Sequence, residues 1–137
     1  MLSKVIAQAS VDHVEKWFEK ADKIVIVSHV SPDGDAIGSS LGLYHFLTSQ
    51  DKNVHVIVPN AFPDFLKWMP GAKDIIQYNR YKDFADKLIQ EADVICCLDF
   101  NVLSRIDEMV TLRTVLWSSR VVTLARSRRI HRRASQM

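Results

Sequence analysis

Apolar positions along this chain come in two patterns, unbroken blocks and spaced repeats, and the two alternate. Ile24-Val25-Ile26-Val27, Val54 with Val56-Ile57-Val58, and Val94-Ile95-Cys96-Cys97-Leu98 are dense blocks bounded by polar residues or proline. Such blocks, rich in β-branched side chains and lacking polar alternation, predict strands buried on both faces, as in a parallel sheet. Between them the period lengthens. Val11, Val14, Trp17 and Phe18, with Asp12, Glu15, Lys16 and Glu19 interspersed, predict an amphipathic helix with Ser10 as its N-cap. Ile37, Leu41, Tyr44 and Phe46-Leu47 predict a second helix ending near Ser49, and Phe84, Leu88 and Ile89 a third over residues 81–91. Pro63 and Pro70 reduce residues 62–70 to a loop or short helix, residues 74–78 make a short strand, and residues 102–109 begin a further helix. Strands alternating with helices imply right-handed crossovers, so the fold class is α/β, a mostly parallel sheet with flanking helices.

At 137 residues the chain is one domain at most, long enough to bury its own core. With 47% hydrophobic and 25% charged residues, it has the composition of a soluble globular protein. No run reaches the roughly 18 apolar residues of a membrane helix. The apolar segment near Val5 is too short for a signal-peptide core, so the cytoplasm is the expected compartment and no membrane partner is expected. Cys96 and Cys97 are adjacent, hence on opposite faces of a strand, and match neither a disulfide nor a CxxC metal spacing.

Charge is divided sharply. Residues 1–109 hold eleven basic and sixteen acidic side chains, a net −5, whereas residues 110–137 hold seven Arg, no Lys and no acid, a net +7.

In open α/β sheets ligands bind outside the carboxyl ends of the strands. His29, Asp33 and Asp35 follow the first block, and Asp99 follows the third. Hard oxygen donors with an imidazole suit Mn²⁺ or Mg²⁺, and Zn²⁺ or Fe²⁺ less exclusively. Two such ions about 4 Å apart activate water and stabilise a phosphoryl transition state, with Asp99 the candidate bridge. Each residue also has a structural role open to it. Asp33 or Asp35 could cap the following helix, Gly34 could serve only the turn, His29 could close a strand, and Asp99 could start a turn with Asn101. Two acids in three residues near a histidine would nevertheless repel one another without a cation. Ala36, Gly38, Ser39, Ser40 and Gly42 then place small residues where glycine costs up to about 1 kcal/mol each, which predicts close approach of the helix to the sheet or of a phosphate to its backbone.

Other motifs fail. Asp33-Gly34-Asp35 starts like a calcium loop, but Ile37 and Tyr44 occupy positions that need oxygen ligands. Neither GxxxxGK[ST] nor GxGxxG occurs. Ser28 and His29 diverge as strand neighbours and make no nucleophile–base pair, and His13, His45 and His55 stand alone.

The run Val27-Ser28-His29-Val30-Ser31-Pro32-Asp33-Gly34-Asp35-Ala36-Ile37-Gly38-Ser39 resembles the first motif of the Asp-His-His (DHH) phosphoesterases, and Cys97-Leu98-Asp99-Phe100-Asn101 resembles their second. The resemblance covers residues 10–109. It is strongest to the bacterial oligoribonucleases that also dephosphorylate 3′-phosphoadenosine 5′-phosphate. It implies Mn²⁺-dependent hydrolysis, with Mg²⁺ as the substitute, of short RNA or a phosphorylated nucleotide, in an enzyme whose full-length relatives are homo-oligomers. His29 and Asp33 would bind one metal, Asp35 the other, and Asp99 both. A pyrophosphatase or polyphosphatase of the same family is the alternative substrate class.

The family's third motif, a strand followed by Asp-His-His, is absent: beyond Asp99 the only histidine is His131. Residues 1–109 are therefore expected to be the N-terminal part of a DHH domain, inactive or weakly active alone. Residues 110–137 are expected to be a frameshifted or otherwise non-native tail. The sheet would then end on an exposed strand, with Trp117, Val121, Val122 and Leu124 available to cover it, and the product would be marginally stable. The alternative is a real basic tail in which Arg126, Arg128, Arg129, Arg132 and Arg133 bind phosphate backbones without catalysis. Resequencing the gene across the codons for Glu108 to Val110 is expected to uncover a second frame encoding a strand and then Asp-His-His. No such frame downstream would make the short chain genuine.

Overall fold

The computed structural model describes residues 8–28, 32–98 and 121–124. Three helices, α1 (Gln8–Lys20), α2 (Gly34–Ser49) and α3 (Lys82–Glu91), and five strands, β1 (Lys23–Val27), β2 (Asn53–Val58), β3 (Ile76–Gln77), β4 (Val94–Leu98) and β5 (Val121–Leu124), make up the described elements. The sheet order is β3-β2-β1-β4-β5 and every pair is parallel. The three blocks expected to be doubly buried strands are its centre. Ile24 through Val27, Val56 through Val58 and all of β4 are buried.

Strand alternation divides the core into two layers. Ile24, Ile26, Val56, Val58, Cys96 and Leu98 face one side, where they meet Ile37, Leu41 and Leu47 of α2, with Trp17 and Phe18 of α1 half-buried against them. Val25, Val27, Ile57, Ile95 and Cys97 face the other, beneath Ala85 and Ile89 of α3. The arrangement is a helix–sheet–helix sandwich. Each fully buried Ile or Leu contributes roughly 1.5–3 kcal/mol through removal from water. The adjacent cysteines enter opposite layers, as their alternation requires, and burial pushes the Cys97 thiol up to about 12. Cys96 is also raised, by burial first and by its neighbour second.

The expected elements are present with three differences. Ser10 lies within α1 rather than capping it, while the side chains of Val11 and Val14 lie outside those described. The strand expected over residues 74–78 contracts to Ile76–Gln77, because a 3-10 turn at Ala72–Asp74 occupies its start. The outer edge of β4, expected to be bare, is paired along its length with β5, from Ile95 opposite Val121 to Leu98 opposite Leu124. Three of the four β5 residues are apolar ones already identified for this purpose. The helix expected over residues 102–109 lies outside the described residues.

One side chain ties the amino ends of the central strands. Asp93 Oδ2 accepts from the backbone N–H of Asp22 (3.0 Å) and of Lys23 (2.9 Å), while the Asp93 N–H donates to Lys23 O (2.7 Å). The Asn53 N–H reaches Asp22 O at 2.9 Å, so β1, β2 and β4 start from one junction. Asp93→Ala strands two backbone donors at the head of β1. Because both donors are exposed, water can take them, and stability is expected to fall by about 0.5–1.5 kcal/mol, measured as a fall in urea midpoint with an unchanged slope.

Candidate active site

The direction of the chain through the sheet locates the crevice. From β1 it moves outward through α2 to β2 and then β3, and α3 carries it back across to β4 on the far side of β1. Strand order reverses between β1 and β4, with α2 on one face and α3 on the other, which is the switch point where α/β sheets bind ligands. Val27 and Cys97 are partners in register there, so β1 and β4 end at the same edge of the sheet.

Of the four residues expected at the site, two lie among those described. Asp33 is the N-cap of α2. Its backbone is extended (φ −91°, ψ −174°), and its Oδ1 accepts from the Ala36 N–H at 2.9 Å. Asp35 sits in the first turn of the same helix, and both are exposed. The capping role and the ligand role are compatible. Capping uses one carboxylate oxygen of Asp33, and a carboxylate has two. His29 and Asp99 lie outside the described residues, and among the described residues no group of three or more His, Cys, Asp or Glu side chains is placed to hold a metal.

The donor chemistry fits a hard divalent cation. Asp33 and Asp35 offer carboxylate oxygen, and the nearby Cys96 and Cys97 are buried, raised in pKa and turned into the two cores, so no thiolate competes.

The glycines after the turn do not serve helix–sheet packing. A Cβ at Gly34 would meet Leu66 Cδ2 at 3.9 Å, one at Gly38 would meet Met69 Cε at 3.8 Å, and one at Gly42 would meet nothing within 4 Å. The small residues buried toward the sheet are instead Ala36 and Ser40. Gly34 and Gly38 face the segment that leaves β2. That segment is pinned by His45, whose Nε2 donates to Pro70 O at 2.7 Å, and by Gly71. Gly71 has φ +86°, and a Cβ there would come within 3.2 Å of the His45 ring.

Two features escaped the sequence. Ser28 directly follows β1 and is fully buried, and its hydroxyl has no partner, a condition shared among the described residues by Ser40 alone. Periodicity places a serine on a face but says nothing of its hydrogen bonds. The second is the outward pair Phe65 and Trp68 on the segment after β2. His45 and His55 are packed or surface residues, as expected, and burial lowers the pKa of His55.

A family model described as DHH family, N-terminal domain, matches residues 23–117, and so includes the first residues of the arginine-rich segment. The bifunctional oligoribonuclease and PAP phosphatase NrnA of Thermus thermophilus is 39% identical over 72 residues, 53% of this chain and 20% of that protein. The protein of the same name from Mycoplasma genitalium is 39% identical over 49 residues, 36% of this chain and 15% of that protein. The crystal structure of an exopolyphosphatase-related protein from Bacteroides fragilis superposes with a TM-score of 0.87 at 71% identity, covering 92% of this chain and 37% of that one. The chain thus spans only about a fifth or less of the curated relatives' length.

The cap of α2 can be separated from the charge of Asp33. Asp33→Ala is expected to cost about 1 kcal/mol of stability, whereas Asp33→Asn keeps an acceptor for the Ala36 N–H and should stay within a few tenths of wild type. Equal losses in chemical denaturation would show that the side-chain bond does not cap the helix.

Proposed function

From the premise that this chain belongs to the DHH family, we propose that it carries the first part of a divalent-metal-dependent phosphoesterase site acting on short oligoribonucleotides or 3′-phosphorylated nucleotides. The observation that carries this reading is the position of Asp33 and Asp35, paired within three residues at the carboxyl edge of β1, beside the β1–β4 switch point. NrnA of Thermus thermophilus, named for oligoribonuclease and PAP phosphatase activity, supports the substrate class.

In this proposal His29, Asp33, Asp35 and Asp99 hold two divalent ions, Mn²⁺ foremost and Mg²⁺ as the substitute. Bound there, the pair supplies Lewis acidity and an acidified water at neutral pH. The chain's own residues position and charge the site. Asp33 is held in one orientation by its bond to the Ala36 N–H, so its remaining oxygen is presented without the entropy loss of a free side chain. Asp35 adds a second carboxylate two residues on, and the repulsion between the two favours whichever cation neutralises them. The first turn of α2 also carries backbone N–H groups and a partial positive charge at the edge where a phosphate would arrive.

Polyphosphate is the second reading, favoured by the exopolyphosphatase-related structure from Bacteroides fragilis. Phosphate-backbone binding by the arginine-rich segment is the third, favoured by the net +7 of residues 110–137.

A thermal melt tests the metal site directly. Mn²⁺ in excess is expected to raise the melting temperature by binding the folded state alone, EDTA should reverse the shift, and Asp35→Asn should remove most of it. No shift with Mn²⁺ or Mg²⁺ would sink the assignment. Excising residues 126–137, which spares β5, should leave the shift intact. If that excision instead abolishes oligonucleotide binding, the arginines are the binding element.

A further inference from the structure

Resting on the phosphoesterase reading, we propose that Leu66 is a positioning residue of the site. It supports the first turn of α2 at Gly34, so that Asp33 and Asp35 meet a divalent ion in a fixed relative arrangement. β1 and β2 run in parallel with Val27 opposite Ile57, so the chain leaves β2 at the edge from which α2 starts. The segment after β2 then follows one stripe of α2. Gly34, Gly38 and His45 lie four and seven residues apart, on one face of the helix. The nearest side chain to a Cβ at Gly34 is Leu66 (Cδ2, 3.9 Å), and to one at Gly38 it is Met69 (Cε, 3.8 Å). His45 Nε2 donates to Pro70 O at 2.7 Å.

Leu66 is itself held from behind. Its N–H donates to Pro63 O (3.0 Å), Met69 N–H to Leu66 O (3.2 Å) and Ala72 N–H to Met69 O (3.0 Å), a succession of i to i+3 bonds. In such turns residues three apart lie one above the other, which puts Leu66 and Met69 on the face toward α2. Phe62 and Ala72, on either side, are buried in the same core as Leu66, Ile37 and Leu41.

The start of a helix is where such support matters, because its first N–H groups lack intrahelical partners and its end frays. Two bonds tie this turn to Asp33, from the Ala36 N–H to Oδ1 (2.9 Å) and from the Ile37 N–H to the backbone oxygen (3.0 Å). Burial of Ala36 and Ile37 fixes its inner side. Gly34, between the two acids, has no side chain with which to pack, and Leu66 is the side chain that its face of the turn meets. Ligands of a binding site must be held to within about 0.5 Å, and neighbours that lock them supply that precision.

Calorimetric titration of the 137-residue chain with Mn²⁺, well below each variant's melting temperature, separates positioning from stability. Leu66→Ala is expected to raise the Mn²⁺ dissociation constant roughly 10-fold, the lower end of what losing a supporting neighbour costs a metal site. Leu66→Met keeps the volume and should bind as wild type does. Leu41→Ala is the control. Leu41 is buried in the same core, about 10 Å farther along α2. Its truncation should lower the melting temperature comparably and leave Mn²⁺ affinity unchanged. If Leu66→Ala does not fold, Leu66→Val decides, with a smaller loss of affinity expected. Wild-type affinity in the folded Leu66 variant, or an equal loss in Leu41→Ala, overturns the positioning role and leaves the phosphoesterase reading intact. No binding of Mn²⁺ or Mg²⁺ by the wild-type chain overturns both.

Discussion

The parallel pairing of β1 with β2 on one side and β4 on the other constrains everything else in this molecule. A strand with neighbours on both edges and helices on both faces can leave its sheet only at the ends. Its backbone polar groups are satisfied by the ladder, and its side chains are committed to the two cores. The turn after β1 must therefore begin at the carboxyl edge. Because strand order reverses between β1 and β4, the chain after β4 begins at the same place. The amino end is fixed as firmly, since Asp93 gathers the backbone at the starts of β1 and β4 through one carboxylate oxygen. A one-residue slip of β1 would move Val25 and Val27 into the wrong layer and break that junction.

Legibility in the sequence follows the same physics. β1, β2 and β4 are written as uninterrupted apolar blocks because a doubly buried strand has no solvent face to mark with polar residues. The α/β class follows from their alternation with helical spacing. β3 is harder to delimit, since Ile76 and Gln77 pair with β2 over two residues and their exposure is intermediate on both faces. Ser10 has the chemistry of a cap, yet capping depends on where the helix begins, and α1 already includes Gln8. β5 is short and lies in an Arg-rich context that gives no block, so its pairing with β4 is visible in the sequence only as a handful of apolar residues in search of an edge.

The site is legible to the extent that its residues follow strands. Asp33 and Asp35 stand out because they leave β1, and the structure adds that Asp33 is also the cap of α2. The side chain that the motif offers as a ligand thus also starts the helix. The glycines teach the opposite lesson. Their cost in a helix predicts close approach, yet a Cβ at Gly34 or Gly38 would meet its neighbour only at ordinary contact distance and one at Gly42 would meet nothing. The nearest side chains belong to the segment after β2, Leu66 and Met69, and not to the sheet. Contacts between elements distant in sequence are the information that periodicity leaves out.

That visiting segment changes how the two sides of the crevice divide their work. The acids of the proposed site, Asp33 and Asp35 after β1 and Asp99 after β4 in the sequence, would answer to charge alone and would not tell one phosphate compound from another. The exit of β2 carries no residue of the motif, yet it is pinned against the helix start with two aromatic rings turned outward. The side chain nearest to Gly34, between the two carboxylates, is its Leu66. A buried hydroxyl without a partner costs about 1–3 kcal/mol, and that of Ser28 lies just past the end of β1, one residue before His29 in the sequence.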